Sequence, residues 1–94
     1  MVYSLLVFNL RIPGCHSLKQ KRSFIKPLLI RLHKEFNIST AEIEKNDIWD
    51  ESIIACGLIC NEKKSTDSQL SQVVQFMEKY WKEVEIINYS IQFL

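Results

Sequence analysis

The stretch Arg11-Ile12-Pro13-Gly14-Cys15-His16-Ser17-Leu18-Lys19-Gln20-Lys21-Arg22 gathers cations, an imidazole, a hydroxyl and a thiol within a single short segment. Its chemistry is that of anion binding. Ser17-x-x-Gln20 has the spacing of a capping box, so a helix starts at Ser17. The free N–H groups and partial positive charge of a helix start attract anions, and Gly14 would let a bound anion approach the backbone closely. Arg11, Lys19 and Arg22 would neutralise phosphates around this corner; Lys26 continues the flank, and Lys21 completes the cationic set from the other border of the buried stripe. The competing use is local: Ser17 and Gln20 satisfy the N–H groups themselves and the cations are simply solvated. His16 could titrate near neutral pH, orient a phosphate, or act as an acid or base. With no acid or nucleophile suitably placed beside it, a hydrogen-bonded or exposed loop histidine is the plainer reading. Cys15 adjoins it, but chain neighbours seldom point together as nucleophile and base must.

The charge distribution supports the same location. Residues 1–34 hold seven basic residues and no Asp or Glu, whereas the remainder holds five lysines and all eleven acids, so a net charge of +1 conceals a polarised chain. An anionic partner for the N-terminal third follows as a hypothesis, against the alternative of one solvated basic helix set beside acidic segments.

Other chemistries find little support. Cys15, Cys56 and Cys60 are an odd set, and two residues four apart on a strand lie roughly 13 Å apart, beyond disulfide reach. Neither C-x-x-C nor a Cys/His set at zinc spacing occurs, so we expect reduced thiols, no metal site and no cofactor. Trp49, in Asp47-Ile48-Trp49-Asp50, either covers the sheet end or anchors a partner. His33 falls on the polar flank of the first helix and is read as solvated.

The elements that must position these residues are legible from hydrophobic period. Ninety-four residues, 47% of them hydrophobic, suit one domain spanning 1–94. Val2 to Ile12 alternates as a strand, with Leu6, Phe8, Leu10 and Ile12 on one face. Helix one buries Leu18, Ile25, Leu28, Leu29, Leu32 and Phe36, which gathers Lys19, Arg22 and Lys26 on one flank. Pro27 interrupts that pattern and predicts a bend or local break within a single element. Asn37 to Ile43 reads as a short strand, and Ser52 to Cys60 as a central strand buried on both faces. A second helix from Ser65 or Thr66 buries Leu70, Val73, Val74, Met77 and Tyr80 or Trp81. Val84 to Leu94 is a final strand with a core face of Ile87, Tyr89, Ile91 and Phe93.

The order β-α-β-β-α-β predicts an α+β, ferredoxin-like βαββαβ fold: a four-stranded antiparallel sheet with two helices on one face. In that plan the last strand is an edge, and Leu5, Val7 and half of the central strand face away from the helices. A homodimer through the edge strand or the open sheet face would cover them; a half-solvated sheet is the alternative. No apolar run reaches the length of about 18 residues that a membrane helix needs, no secretory signal is read, and helix one needs its apolar stripe for the sheet. The expectation is therefore a cytoplasmic protein that does not bind membranes.

Taken together, Leu10-Arg11-Ile12-Pro13-Gly14, His16-Ser17-Leu18-Lys19, Lys21-Arg22-Ser23, Asn37-Ile38-Ser39-Thr40-Ala41-Glu42 and Asp47-Ile48-Trp49 resemble the small bacterial YlxP-like family, domain of unknown function 503. The resemblance covers essentially the whole chain. It implies a ferredoxin-like fold, no established activity and, from the company its genes keep, a place near translation initiation and ribosome maturation. Cys15 stands where the family usually has Ala, Gln20 where it has Glu, and Pro27 is atypical; none of these departures removes a basic residue.

Three ferredoxin-like precedents can be compared with these letters. Base-stacking RNA sheets carry aromatics on a central strand, and Ile53 to Ile59 has none. Metal carriers need two cysteines in the first loop, which has Cys15 alone. Acylphosphatase-type hydrolysis needs a phosphate cradle whose sequence this loop does not resemble. The reading is a non-enzymatic module that binds RNA or a ribosomal particle through Arg11, Gly14, His16, Ser17, Lys19, Lys21, Arg22 and Lys26, with Trp49 as a partner contact. Its alternatives are a small phospho-ligand enzyme or sensor using the start of helix one, and a structural dimer or adaptor.

Overall fold

Alternation along β1 (Val2–Arg11) buries Ser4, Leu6, Phe8 and Leu10 and turns Tyr3, Leu5, Val7, Asn9 and Arg11 to the opposite face. Register carries this division across the sheet: Leu6 pairs with Cys56, and Phe8 with Ile54, of β3 (Glu51–Cys60). The computed structural model describes residues 1–93 and adds α1 (Leu18–Phe36), β2 (Ser39–Glu44), α2 (Lys63–Tyr80) and β4 (Glu85–Phe93). Strand order is β2-β3-β1-β4 with every neighbouring pair antiparallel. The fold is the ferredoxin-like α+β arrangement expected from the sequence. Both helices lay their apolar stripes on the sheet face that carries Leu6, Phe8, Leu10, Ile54, Cys56 and Leu58, forming one core cluster with Ile25, Leu28, Leu32, Leu70, Val73 and Met77. No helix among the described residues is long and apolar enough to cross a membrane.

Some boundaries move for local reasons. Asn37 does not begin β2; it ends α1 in the left-handed conformation (φ 51°), its N–H donating to the His33 carbonyl at 3.0 Å. α2 starts two residues before Ser65, at Lys63, with Glu62 as its cap residue. Helix α1 continues through Pro27 as one element, and both Pro27 and Ser23, whose carbonyl loses its donor, are exposed. At the C-terminal end of α2, Trp81 packs partly buried against the core while Tyr80 is exposed.

The expected core face of β4 is a correction. Val84 is buried and Ile86 packs on the core, but Ile87, Tyr89, Ile91 and Phe93 remain 39–48% exposed. Their register opposite Phe8, Leu6 and Ser4 sets Tyr89, Ile91 and Phe93 on the helix side of the sheet. Helix α2 packs over β3 and β1, so this outermost strand lies beyond its cover. Leu94, also assigned to the strand from sequence, lies outside the described residues.

Candidate nucleic-acid interface

The strand-to-helix corner is built by one glycine and one cap. Gly14 has φ +77°, a region that favours glycine, and a Cβ there would meet nothing within 4 Å. The turn's conformation therefore requires the residue; crowding does not. Ser17 Oγ accepts the Gln20 N–H at 3.0 Å, and Gln20 Oε1 accepts the His16 N–H at 2.8 Å. This closed capping box takes up backbone donors that an anion would otherwise use. The His16 residue is exposed, whereas Cys15 is buried with its thiol directed to the Ser17 carbonyl at 3.5 Å. Cys15 is thus a core residue under the corner.

Arg11 is exposed at the end of β1, with Glu51 and Glu85 as its cross-strand neighbours. An acidic residue on each side makes it a weaker anion contact than the helix cations, although Glu51 itself is engaged by Lys45 at 3.0 Å.

Lys21 is withdrawn from the anion-binding set. Only 1% exposed, it lies 2.9 Å from the Glu42 carboxylate and donates to the carbonyls of Lys45 and Glu51 at 2.8 and 3.3 Å. Ser52 Oγ donates to the same carboxylate at 2.6 Å. Every strong donor and acceptor in this cluster has a partner, which is what lets a charge sit in the interior. The ammonium ties α1 to the β2–β3 connection, where Trp49 is 54% exposed. Its role as a lid over the sheet end is therefore not realised, and the indole is open to solvent.

The remaining helix cations share the solvent side of α1. Lys19, Arg22, Lys26 and Lys34 are exposed, and no ion pair forms at any of them among the described residues. A shallow groove of about 510 Å³ is lined by Arg22, Lys26, Arg31 and Lys34, with Pro27, Ile30 and Trp81 as its apolar part. Arg31 reaches Glu35 at 3.4 Å and lies 5.4 Å from the centre of the Phe76 ring. Of these residues the sequence reading assigned only Arg22 and Lys26 to the site. Lys34 follows Lys26 by slightly more than two helical turns, a signal within reach of periodicity; Arg31 and Trp81 join the groove only through the packing of α2 on α1. His33, read as solvated, bonds through Nδ1 to the Ile38 carbonyl at 2.7 Å.

Other features of the surface fit an anion less well. A larger hollow, about 660 Å³, lies beside the C-terminus of α1 and is lined by Glu35 together with uncharged residues such as Tyr3, Gln69 and Gln72. Among the described residues no three His, Cys, Asp or Glu side chains gather as metal ligands. Burial pushes the Cys56 thiol up to about 12, which keeps it protonated and unreactive near neutral pH.

Fold and surface define a small ferredoxin-like α+β protein with a cationic helix flank. The chain belongs to a family described as protein of unknown function (DUF503), whose sequence model matches residues 4–91. It is similar to the uncharacterized protein YlxP of Bacillus subtilis (strain 168), with 30% identity over 64 residues, or 68% of this chain and 70% of that protein.

Proposed function

We propose that this protein is a non-enzymatic cytoplasmic module that binds structured RNA, on a ribosomal particle, through phosphate contacts along α1. One observation carries the reading: Lys19, Arg22, Lys26 and Lys34 stand exposed on one helix without a carboxylate partner among the described residues. Cations left unneutralised in this way release counterions from a polyphosphate when they bind it. Contacts to phosphate fix position without reading bases, consistent with a central strand that offers no stacking aromatic. Groove-lining Trp81 supplies apolar contact beside the charges, and Trp49 stands exposed at the β2–β3 connection. A small phospho-ligand site at the helix start has less support, because the Ser17–Gln20–His16 box occupies donors it would need.

The test is binding to a structured RNA across a salt series. Replacing Lys19, Arg22 and Lys26 together by Gln should lower the slope of log K against log salt by about 2 to 3, at roughly 0.7 to 0.9 per lost phosphate contact. An unchanged affinity and slope in that folded variant would remove the assignment.

A further inference from the structure

The edge strand β4 carries a pattern the phosphate-binding reading does not use. Eight of its nine residues are exposed, and beyond Glu85 it has no charged residue and no proline. Lysine, proline and inward charge are the usual means of keeping a long edge from pairing with another chain. A register shift between Asn9 and Leu10 leaves Ile87 as a bulge without a β1 partner, with regular pairing from Asn88 to Phe93, so the strand beyond Ile86 is a run of seven residues, Ile87 to Phe93. That run reads Ile-Asn-Tyr-Ser-Ile-Gln-Phe and is symmetric in side-chain type about Ser90.

We propose that β4 pairs antiparallel with β4 of a second copy, about a two-fold axis at Ser90, to join two four-stranded sheets into one of eight. A two-fold interface must be self-complementary, with each residue's partner reciprocated across the axis. Here Ile87 falls opposite Phe93, Tyr89 opposite Ile91, and the carboxamide of Asn88 opposite that of Gln92. Apolar side chains meet on the helix side and amides meet on the open side. Residues directly opposed in an antiparallel pair must share a face, so register can shift only in steps that keep the faces matched. Of those, the Ser90-centred one pairs the whole stretch from Ile87 to Phe93 and sets amide opposite amide. This axis stands perpendicular to the sheet and brings the outer flanks of both α2 helices to the same side. There Val74, Gln75 and Glu78 line a hollow of about 270 Å³ with Tyr89 and Ile91, and the second copy's apolar row would close over it. An unrelated strand could use the same backbone edge, but only a second copy accounts for the symmetric sequence.

Analytical ultracentrifugation over a hundredfold concentration range should show a monomer–dimer equilibrium. Ile91→Lys should raise the dimer dissociation constant about 30-fold or more, as loss of an interface anchor does. Ile59→Lys, on the open face of β3 and 65% exposed, should leave it unchanged. Circular dichroism confirms that each variant is folded. In a Cys60→Ser background, Ser90→Cys should form an oxidised intermolecular disulfide, since Cα atoms opposed across the axis lie about 4.5 to 5.5 Å apart. A monomer at all concentrations would overturn the proposal and leave the edge to a strand of another protein. Loss of the dimer in Ile59→Lys but not in Ile91→Lys would place the interface on the open face instead, and absence of the Ser90→Cys cross-link would exclude this axis.

Discussion

Lys21 Nζ lies 2.9 Å from the Glu42 carboxylate, with 2% of the lysine side chain and 17% of the glutamate side chain exposed. The pair closes the interior where α1 crosses β2 and β3, and the ammonium also holds the carbonyls of Lys45 and Glu51. Lys21 is therefore a fold-determining cation among solvent-exposed ones.

Lys21→Met should destabilise the protein by about 3 kcal/mol, because removing one partner of a buried pair strands the other; the partial exposure of Glu42 keeps the loss toward the lower end. Chemical denaturation measures it. RNA affinity of the folded variant should match wild type, in contrast to the Lys19, Arg22 and Lys26 triple variant, which should lose affinity at unchanged stability.

The corner gives a second expectation. Gly14→Ala meets no atom within 4 Å, yet it should cost about 1 to 2 kcal/mol, the penalty of a left-handed φ for a residue with a Cβ. Ser17→Ala should cost about 1 kcal/mol through loss of the cap bond to Gln20 N–H. Equilibrium unfolding measures both losses, and the backbone amide spectrum of Gly14→Ala should show no displaced neighbours, as crowding would require.

Thiol reactivity supplies a third. With Cys56 raised to about 12 by burial, its thiolate is scarce at pH 8, and an aromatic disulfide reagent should modify the part-exposed Cys60 first. Cys56 should react only as the protein unfolds. Peptide mass mapping of the modified sites under native and denaturing conditions reads the order directly.

Much of the architecture was legible because its causes are local. The alternation of Leu6, Phe8 and Leu10, the Ser17–Gln20 cap and the apolar run of β3 each state a period or a hydrogen bond within a few residues, and all stand as elements. But β3, expected to be buried on both faces, is covered fully only on the helix side and leaves Ile59 65% exposed on the other. The candidate site was legible in part. Lys19, Arg22 and Lys26 are on the exposed flank that helical spacing assigns them, whereas Lys21 occupies the i−4 and i−7 positions relative to Ile25 and Leu28 and so falls on the buried stripe. Its charge argued for solvent; only a carboxylate from β2 and carbonyls from the following turn make the buried position tolerable.

What the sequence by itself determined is the element order, the inward face of β1, and the acid-free charge of the N-terminal third, since these depend on residue type and short-range spacing. Tertiary structure decided which charges are free and which apolar residues are covered. Pairing of Lys21 with Glu42, entry of Trp81 into the α1 groove and exposure of Tyr89 and Ile91 each depend on where a distant element comes to rest. A helix that shelters β3 and β1 leaves β4 outside its shadow, and no period within β4 can express the width of the layer packed above it.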